Sequence, residues 1–393
     1  MALEIERALL RLAKPGLRLL EDEALNAEAP VDLLGDDLTP IPSFFIRNNG
    51  RLPVLGADAA ERWTLTLDGE VERPRAWTLS ELKRDFPVVS LTAVLECAGN
   101  GRAGFSAATD GLQWTLGAIG CARWTGVRLA DLLAAAGVRR SAAYTGHFSP
   151  DERAGKPGQP AISRGLPIEK ALAPETLVAF AMNDEPLPYL HGGPLRIVAP
   201  GFPGSAWQKW LTRIAVRDRE HDGEKMTGTN YRLPREPVRP GDAIDPARFT
   251  VITDMPVKAL ITAPLAGFAA SPGELAVRGL AWSGHVPLAS VAVSADGGAS
   301  WREASLEAGA DRFAWRRFTA PVKTNGSGPV TIMARATDAK GGAQPLDGAP
   351  WNPRGYCNNA VHRARRDRSA LRVQRSSSST STGWWSETFV SVS

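Results

Sequence analysis

The chain has 393 residues, of which 43% are hydrophobic and 22% charged, and its formal net charge is +4 at pH 7. This length exceeds one ordinary hydrophobic core, so two domains are predicted, with the composition of a soluble globular protein. The small net charge argues against a nucleic-acid-binding surface but allows a local site for an anion. The cysteines Cys97, Cys121 and Cys357 are widely spaced and odd in number, which predicts neither a disulfide framework nor a zinc site.

Residues 1–39 are predicted to form a lead that precedes the first domain. Periodic leucines mixed with charges of both signs indicate a short amphipathic helix or a mobile segment. The apolar core and cleavage site of a secretory signal and a twin-arginine pair are absent, so a cytoplasmic location is expected, with the periplasm as the alternative if the N-terminus is incomplete. No run approaches about eighteen apolar residues, so no membrane association is predicted.

Residues 40–247 mix strands and helices, which predicts an α+β domain. Trp63–Val71 and Leu91–Leu95 have the composition of strands. Val127–Gly137 has a helical pattern that ends in glycine, and a further helix is predicted to begin near Ser80. The proline-rich residues 233–248 indicate a linker, which sets the end of this domain.

Cys97 lies where the strand Leu91–Leu95 ends and a Gly/Asn turn begins, five residues before Arg102. Such a turn exposes the sulfur, and a nearby guanidinium favours the thiolate that a nucleophile or metal ligand requires. The alternative is a buried cysteine that packs as a small apolar residue, which is the commoner fate of a lone cysteine. The spacing alone leaves both interpretations open.

Several other polar residues of the first domain are candidates for binding an anion. Arg47 follows an apolar cluster, although a surface arginine is the alternative. His147 and Asp151 lie in a long polar loop at 141–165, where simple solvation is the favoured interpretation. The glycines after His191 would let backbone approach a ligand, and Lys209 follows a Gly-rich turn of the kind that phosphate sites use.

Residues 248–364 are predicted to form an all-β sandwich. Turn signals recur about every ten residues and no helical period is present. The segment 291–301 illustrates the pattern, since it contains an alternating strand, an Asp-Gly-Gly turn and a tryptophan. Residues 365–393 are Ser/Thr-rich and aperiodic, which predicts a disordered tail whose native status is open.

Ten blocks in order resemble the sulfite oxidase family of molybdenum enzymes: FFIRNNG, LECAGNGR, GLQW, ARWTG, HGGPLRIVAPG, QKWL, DMPVKALI, VSADGGASW, AWRRF and WNPRG. The resemblance spans about residues 40–364. It implies a molybdenum–molybdopterin domain of α+β type, followed by an immunoglobulin-like domain through which the chain forms a homodimer. A cytochrome-like His-Pro-Gly-Gly segment is absent, so no haem is expected in this chain.

The resemblance assigns roles to particular residues. It makes Cys97 the protein's thiolate ligand to molybdenum, a soft ligand suited to that metal. Residues expected to surround the substrate, sulfite or a related sulfur oxyanion, are Arg47, Arg102, Trp114, Tyr231 and Arg316. Residues expected to contact the pterin are Phe45, Ile46, Arg47, Asn48, Asn49, Asp151, His191, Arg196, Trp207, Gln208 and Lys209.

Two positions depart from animal members of the family. Asn49 stands where they have histidine and Gly101 where they have arginine, so both changes remove positive charge. Cys121 and Cys357 match no functional position and are expected to be structural.

The expected reaction is oxidation of sulfite to sulfate, with electrons passed to an external acceptor such as cytochrome c. The alternatives are a sulfane or thiosulfate-pathway dehydrogenase, a nitrate or sulfoxide reductase on the same scaffold, or a cofactor-free dimeric binding module.

Overall fold

The computed structural model describes residues 13–56, 58–265, 273–324 and 330–365. The start of the N-terminal lead and the predicted tail beyond Arg365 lie outside these ranges. Within them, no helix has both the length and the apolar character that crossing a membrane requires.

The α-helices with described bounds are short: α1 (Ala59–Arg62), α2 (Leu79–Asp85), α3 (Leu129–Ala136) and α4 (Ile168–Ala171). The helix predicted over Val127–Gly137 is confirmed as α3, although Val127 and Arg128 belong to the preceding strand; the helix ends before Gly137, which lies in the left-handed region with φ +72°. The helix predicted near Ser80 begins one residue earlier, at Leu79. Thr78 caps it, because its side chain accepts from the Glu81 amide while the Glu81 carboxylate accepts from the Thr78 amide.

The first part of the chain contains these strands: β1 (Arg18–Glu21), β2 (Asn26–Glu28), β3 (Thr64–Gly69), β4 (Arg75–Thr78), β5 (Val88–Glu96), β6 (Ile119–Arg128), β7 (Tyr144–Phe148), β8 (Gly165–Pro167), β9 (Leu177–Met182), β10 (Glu185–Pro186), β11 (Arg196–Val198), β12 (Arg213–Arg217) and β13 (Arg232–Pro234). Two five-stranded sheets result. One has the order β10-β9-β6-β5 with β11 also paired to β9, and the other has the order β4-β3-β12-β7-β8. One large core, including Trp124, Leu133 and Ile214, is shared by residues of both sheets.

The described part of the N-terminal lead packs into this domain. From Arg18 the chain forms the antiparallel hairpin β1–β2, and Leu25 and Ala27 are fully buried in the main core. The backbones of Ala27 and Ile46 exchange two hydrogen bonds, of 3.0 and 2.8 Å. The hairpin therefore fixes the segment that carries Arg47 to Asn49.

The second part of the chain is all-β, as predicted, with strands β14 (Phe249–Val251), β15 (Lys258–Ala263), β16 (Gly273–Trp282), β17 (Leu288–Ser294), β18 (Arg302–Glu303), β19 (Ser305–Leu306), β20 (Arg316–Thr324), β21 (Thr331–Asp338) and β22 (His362–Arg365). Strand β14 pairs with β13, and the others form two four-stranded sheets, β15-β16-β20-β19 and β18-β17-β21-β22. Apolar side chains from both sheets, such as Val277 and Ile332, form a separate core. This arrangement is a β-sandwich.

A third apolar cluster joins the two domains. It combines residues of the first part (Ala29, Leu34, Ile119, Cys121) with residues of the sandwich (Leu260, Leu280, Trp282, Trp315). Cys121 is fully buried there, and burial raises the pKa of its thiol to about 12. Its role is therefore structural, as expected.

Candidate active site

Cys97 follows the last residue of β5 and lies at the wall of a cavity. Its amide donates to the Ala118 carbonyl at 2.9 Å, and its own carbonyl accepts from the Asn100 amide at 2.9 Å. These bonds close the turn that sequence analysis placed here. Cys97 is 7% exposed, so the sulfur is held at the cavity wall with little access to bulk water.

Two glycines shape the turn after Cys97. A Cβ on Gly99 would lie 2.5 Å from Nη2 of Arg102, so only glycine leaves room for that guanidinium. Gly101 has φ +87°, a conformation that side chains with a Cβ rarely adopt. The backbone conformation at position 101 therefore favours glycine.

The cavity collects most of the predicted pterin contacts. Its lining includes Phe45, Arg47, Asn48, Asn49, Asp151, His191, Arg196, Trp207, Gln208 and Lys209, together with Cys97 and Tyr231. Ile46 is the exception among the predicted contacts. Its side chain is fully buried in the main core, because its backbone pairs with Ala27 and turns the side chain inward.

Arg196 is a cation buried between two indole rings. It is 2% exposed, and its guanidinium carbon lies 4.9 Å from the Trp124 ring and 5.9 Å from the Trp207 ring. Its two terminal nitrogens donate to the carbonyls of His191 at 2.8 Å and Trp207 at 3.1 Å. Desolvation lowers the pKa of Arg196 to about 9. Among the described residues no carboxylate pairs with this cation, which favours the arrival of an anion.

Lys209 adds a second buried cation beside Arg196. Its ammonium donates to Asn48 Oδ1 and, at 3.1 Å, to the Leu190 carbonyl. Burial, reinforced by Arg196, lowers the pKa of Lys209 well below its usual value. Burial raises the pKa of Asp151, the one acidic residue among those that line the cavity in the described part of the chain.

The cavity therefore fits a large anionic group. Its lining carries three guanidinium or ammonium groups, on Arg47, Arg196 and Lys209, against one carboxyl. In addition, the buried atoms His191 Nε2 and Ser205 Oγ have no hydrogen-bond partner among the described residues. Since buried polar atoms are rarely left unpaired, this set matches the phosphate and the soft metal end of a molybdopterin.

Arg47 and Tyr231 meet at the amide of Asn49. Arg47 donates from Nη2 to Asn49 Oδ1 at 2.9 Å and from Nη1 to Asn26 Oδ1 at 3.2 Å. The Tyr231 hydroxyl donates to the same Asn49 oxygen at 3.1 Å, and so does Lys225 Nζ at 3.0 Å. Arg47 is half-buried and lines the cavity, which favours the anion-contacting interpretation over a surface arginine.

Arg102 and Trp114 are buried but do not line the cavity. Arg102 donates to the carbonyls of Arg354 at 2.8 Å and Leu112 at 2.7 Å. Trp114 is fully buried and meets the cavity residue Phe45 edge-on, with ring centroids 6.4 Å apart. Both therefore support the cavity wall, and their expected contact with substrate stays a prediction.

The structure corrects the placement of Arg316. This residue begins β20 and lines a different cleft with Asp37 and Asp311, and its Nε donates to the Glu307 carbonyl at 2.8 Å. The reason is that β20 pairs with β16 and β19 in the sandwich, and its start lies beside Asp37 and Asp311. Arg316 therefore does not line the cavity that contains Cys97 in the described part of the chain.

Sequence analysis missed Arg164, Lys225 and Arg354. Arg164 is 1% exposed, donates to the Lys225 carbonyl at 2.8 Å and lies 5.0 Å from the Tyr231 ring. The Arg354 carbonyl accepts a hydrogen bond from Arg102. Arg354 belongs to the WNPRG block, but the resemblance assigns it no role. No local pattern marks Arg164 or Lys225, because the contacts of Arg164 with Lys225 and Tyr231 depend on the path that residues 218–231 take in the fold.

His147 and Asp151 are buried, so the prediction of solvated side chains is wrong for both. His147 is fully buried outside the cavity, and burial lowers its pKa to about 3. It lies near a Ser163–His221 contact of 2.9 Å that resembles half of a catalytic triad. Arg217 donates to His221 Nδ1 at 3.0 Å, so Nε2 carries the proton and cannot activate Ser163.

Comparisons with known proteins identify the family of this chain. Residues 50–225 match the family described as oxidoreductase molybdopterin binding domain, and residues 249–368 match the Mo-co oxidoreductase dimerisation domain. Sulfite oxidase of Gallus gallus is 36% identical over 360 residues, which cover 89% of this chain and 77% of that protein. Mitochondrial sulfite oxidase of Homo sapiens is 34% identical over 362 residues, which cover 89% of this chain and 65% of that protein.

A solved structure shares the whole arrangement of the two domains. It is the sulfane dehydrogenase SoxCD from Paracoccus pantotrophus, with a TM-score of 0.74 and 27% sequence identity. The match covers 91% of this chain and 88% of that chain.

Proposed function

Because the chain belongs to the sulfite oxidase family of molybdopterin oxidoreductases, we propose that it oxidises sulfite to sulfate and passes two electrons to an external acceptor. One observation carries the proposal. The cavity places Cys97, a soft thiol, in the same lining as Arg47 and Tyr231, which are donors suited to a small oxyanion. Water supplies the fourth oxygen of sulfate, and two protons and two electrons leave.

Molybdenum–molybdopterin, when bound, supplies the two-electron redox chemistry. Cys97 would hold the metal, while Arg196, Lys209 and His191 would hold the phosphate end. The desolvated cations on this side of the cavity, whose pKa values are lowered by burial, gain their missing counter-charge from the cofactor.

The remaining lining binds and orients the substrate. The Arg47 guanidinium stays charged and grips an oxyanion with paired donors, and the Tyr231 hydroxyl adds a third donor. Phe45, Leu95 and Trp210 provide apolar wall that excludes water, which strengthens these contacts. The protein thus arranges positive charge before the substrate arrives.

The test is steady-state reduction of ferricyanide and cytochrome c by the molybdenum-loaded protein, with sulfite and thiosulfate compared as electron donors. We expect sulfite to give the highest kcat/KM. Cys97→Ser should keep the fold and lower the activity at least about 100-fold. Even mutation of a residue that only hydrogen-bonds to a metal ligand typically lowers metal affinity or activity about 10–100-fold. Fully loaded wild-type protein that shows no sulfite-dependent reduction would contradict the proposal, as would wild-type turnover by Cys97→Ser.

A sulfane dehydrogenase is the second candidate, because the likeness to SoxCD spans both domains. Such an enzyme acts on sulfur bound to a partner and should show poor activity on free sulfite. A protein carrying a cysteine persulfide, assayed beside sulfite, distinguishes the two. Higher kcat/KM on the persulfide would favour the second candidate.

We also propose that the chain forms a homodimer through the domain at 249–368, which matches a dimerisation family. Analytical ultracentrifugation checks this, and a monomer at micromolar concentration would contradict it. Cytochrome c as the acceptor and the cytoplasm as the compartment stay predictions, which the acceptor assay above and cell fractionation test.

A further inference from the structure

Three donors converge on one neutral oxygen at the edge of the cavity. Asn49 Oδ1 accepts from Arg47 at 2.9 Å, from Lys225 at 3.0 Å and from Tyr231 at 3.1 Å. A carboxamide oxygen has two lone pairs, so three donors exceed what it can satisfy well. Two cationic donors and one phenol around a single point are instead the surroundings that an oxyanion receives.

Two of these donors sit on an unusual backbone. Lys225 has φ +65° and Tyr231 has φ +50°, which residues with a Cβ seldom adopt. The buried Arg164 guanidinium holds both, because it donates to the Lys225 carbonyl at 2.8 Å and lies 5.0 Å from the Tyr231 ring. Ser163 secures the same loop through its amide, which donates to the Glu224 carbonyl at 3.0 Å.

We propose that Lys225 is a substrate-binding residue that, with Arg47 and Tyr231, binds an oxygen of the sulfur oxyanion. While the anion is absent, the Asn49 side-chain oxygen accepts hydrogen bonds from the three donors. When the anion binds, the donors bond to the anion instead. This inference rests on the proposed function, which supplies the oxyanion.

The charge environment supports an anion at this position. Asn49 is the acceptor of Lys225 Nζ among the described residues, which leaves two of its three protons for a ligand. Burial and the neighbouring Arg47 lower the pKa of Lys225 to about 8, and Glu224 and Asp151 offset this in part. An anion at the meeting point of the donors would restore the charge balance that burial disturbs.

The experiment compares the molybdenum-loaded wild type with Lys225→Met and Lys225→Arg, and with Lys323→Met as a control. Lys323 is an exposed sandwich residue, so its variant removes the same charge away from the cavity. Each protein is measured for molybdenum content, sulfite kcat and KM, and sulfate binding by calorimetry. Lys225→Met should raise KM and the sulfate Kd about tenfold, with kcat within about twofold, because it removes a charge-assisted hydrogen bond. Lys225→Arg should recover part of the loss.

The outcomes separate this inference from the proposed function. If wild type oxidises sulfite while fully loaded Lys225→Met keeps the wild-type KM and sulfate Kd, the inference is overturned. An equal rise of KM in Lys323→Met would overturn it too, since the effect would then come from net charge. If wild type fails to oxidise sulfite, the proposed function fails, and sulfate binding alone decides whether Lys225 belongs to an oxyanion site.

Discussion

The residue with the most informative surroundings is Asn49, whose side-chain oxygen can be replaced by a carboxylate of the same shape. In Asn49→Asp, a negative charge would lie within about 3 Å of the three donors on Arg47, Lys225 and Tyr231. We expect the sulfite KM to rise by more than about tenfold, because the carboxylate takes the place that the substrate oxyanion needs. The melting temperature should rise, because two cationic donors gain a counter-charge.

The neutral variant Asn49→Ala provides the comparison. It removes the acceptor without adding charge, so its effect on KM should be smaller than that of Asn49→Asp. Steady-state kinetics and differential scanning calorimetry on loaded protein measure both effects. Equal KM values for the two variants would contradict an electrostatic origin.

At this scale, sequence reasoning predicted contacts within continuous segments and missed those made by folding. The block that contains Arg47 and Asn49 enters the cavity as a unit, so its residues line the cavity together apart from the core residue Ile46. An arginine in a short motif, such as Arg316, carries no signal about which cleft it will line. The position of Lys225 could not be predicted either. Its left-handed backbone conformation depends on a hydrogen bond from the buried Arg164, which lies far away in the sequence.

Among the elements, β5 connects the cavity to the sandwich. Its last residue, Glu96, precedes Cys97 and is 2% exposed. The Glu96 carboxylate accepts from Lys258 Nζ on β15 at 2.5 Å, from Trp282 Nε1 on β16 at 2.9 Å and from Asn100 at 3.0 Å. The second domain thereby helps to hold the turn that presents Cys97.

Breaking this buried pair should be costly. Lys258→Met leaves the Glu96 carboxylate buried without its counter-charge, and we expect a loss of about 3–5 kcal/mol in the free energy of unfolding. The double variant Glu96→Gln/Lys258→Met should recover part of this loss, because neither charge then remains unpaired. Urea unfolding followed by fluorescence measures the change.

The exposed pair between Arg213 and Asp68, at 2.7 Å, offers a matched control. Arg213→Met should cost less than about 1 kcal/mol, since water screens an exposed pair. If Lys258→Met lowered the free energy of unfolding by no more than Arg213→Met does, the Glu96 carboxylate would not depend on the counter-charge that the sandwich supplies. Molybdenum content of Lys258→Met adds a second measurement, because a displaced turn would retain less metal.

For the whole molecule, the hydrophobic pattern predicted the two-domain architecture well. Alternation and turn signals identified the sandwich, and a helical period that ends in glycine identified α3. The hairpin of Arg18–Glu28 could not be predicted, because its leucines follow a helical spacing while pairing with the segment around Ile46 overrides that local preference. The apolar contact between the domains depends on tertiary packing and left no local pattern.

Four histidines, His147, His191, His221 and His362, should make the stability of the whole molecule depend on pH, because desolvation lowers the pKa of each. Burial lowers the pKa of His147 to about 3 and the pKa values of His221 and His362 to about 4 each, against 6.5 for the ordinary group. Between these values and 6.5 the unfolded chain binds more protons than the folded chain. The free energy of unfolding therefore falls as the pH drops from 6.5 towards 4, by up to about 1.4 kcal/mol per pH unit for each histidine.

Melting temperatures recorded from pH 7 to pH 4.5 check this expectation. His221→Gln removes one of the four titrating groups and should reduce the slope in this window by about a quarter, whatever its effect on stability at pH 7. Asp222, whose pKa the Arg217 guanidinium lowers, loses its stabilising charge only at lower pH, so its contribution falls outside the window. A melting temperature that stays constant down to pH 4.5 would contradict this expectation, because it would mean that burial does not keep the histidines neutral.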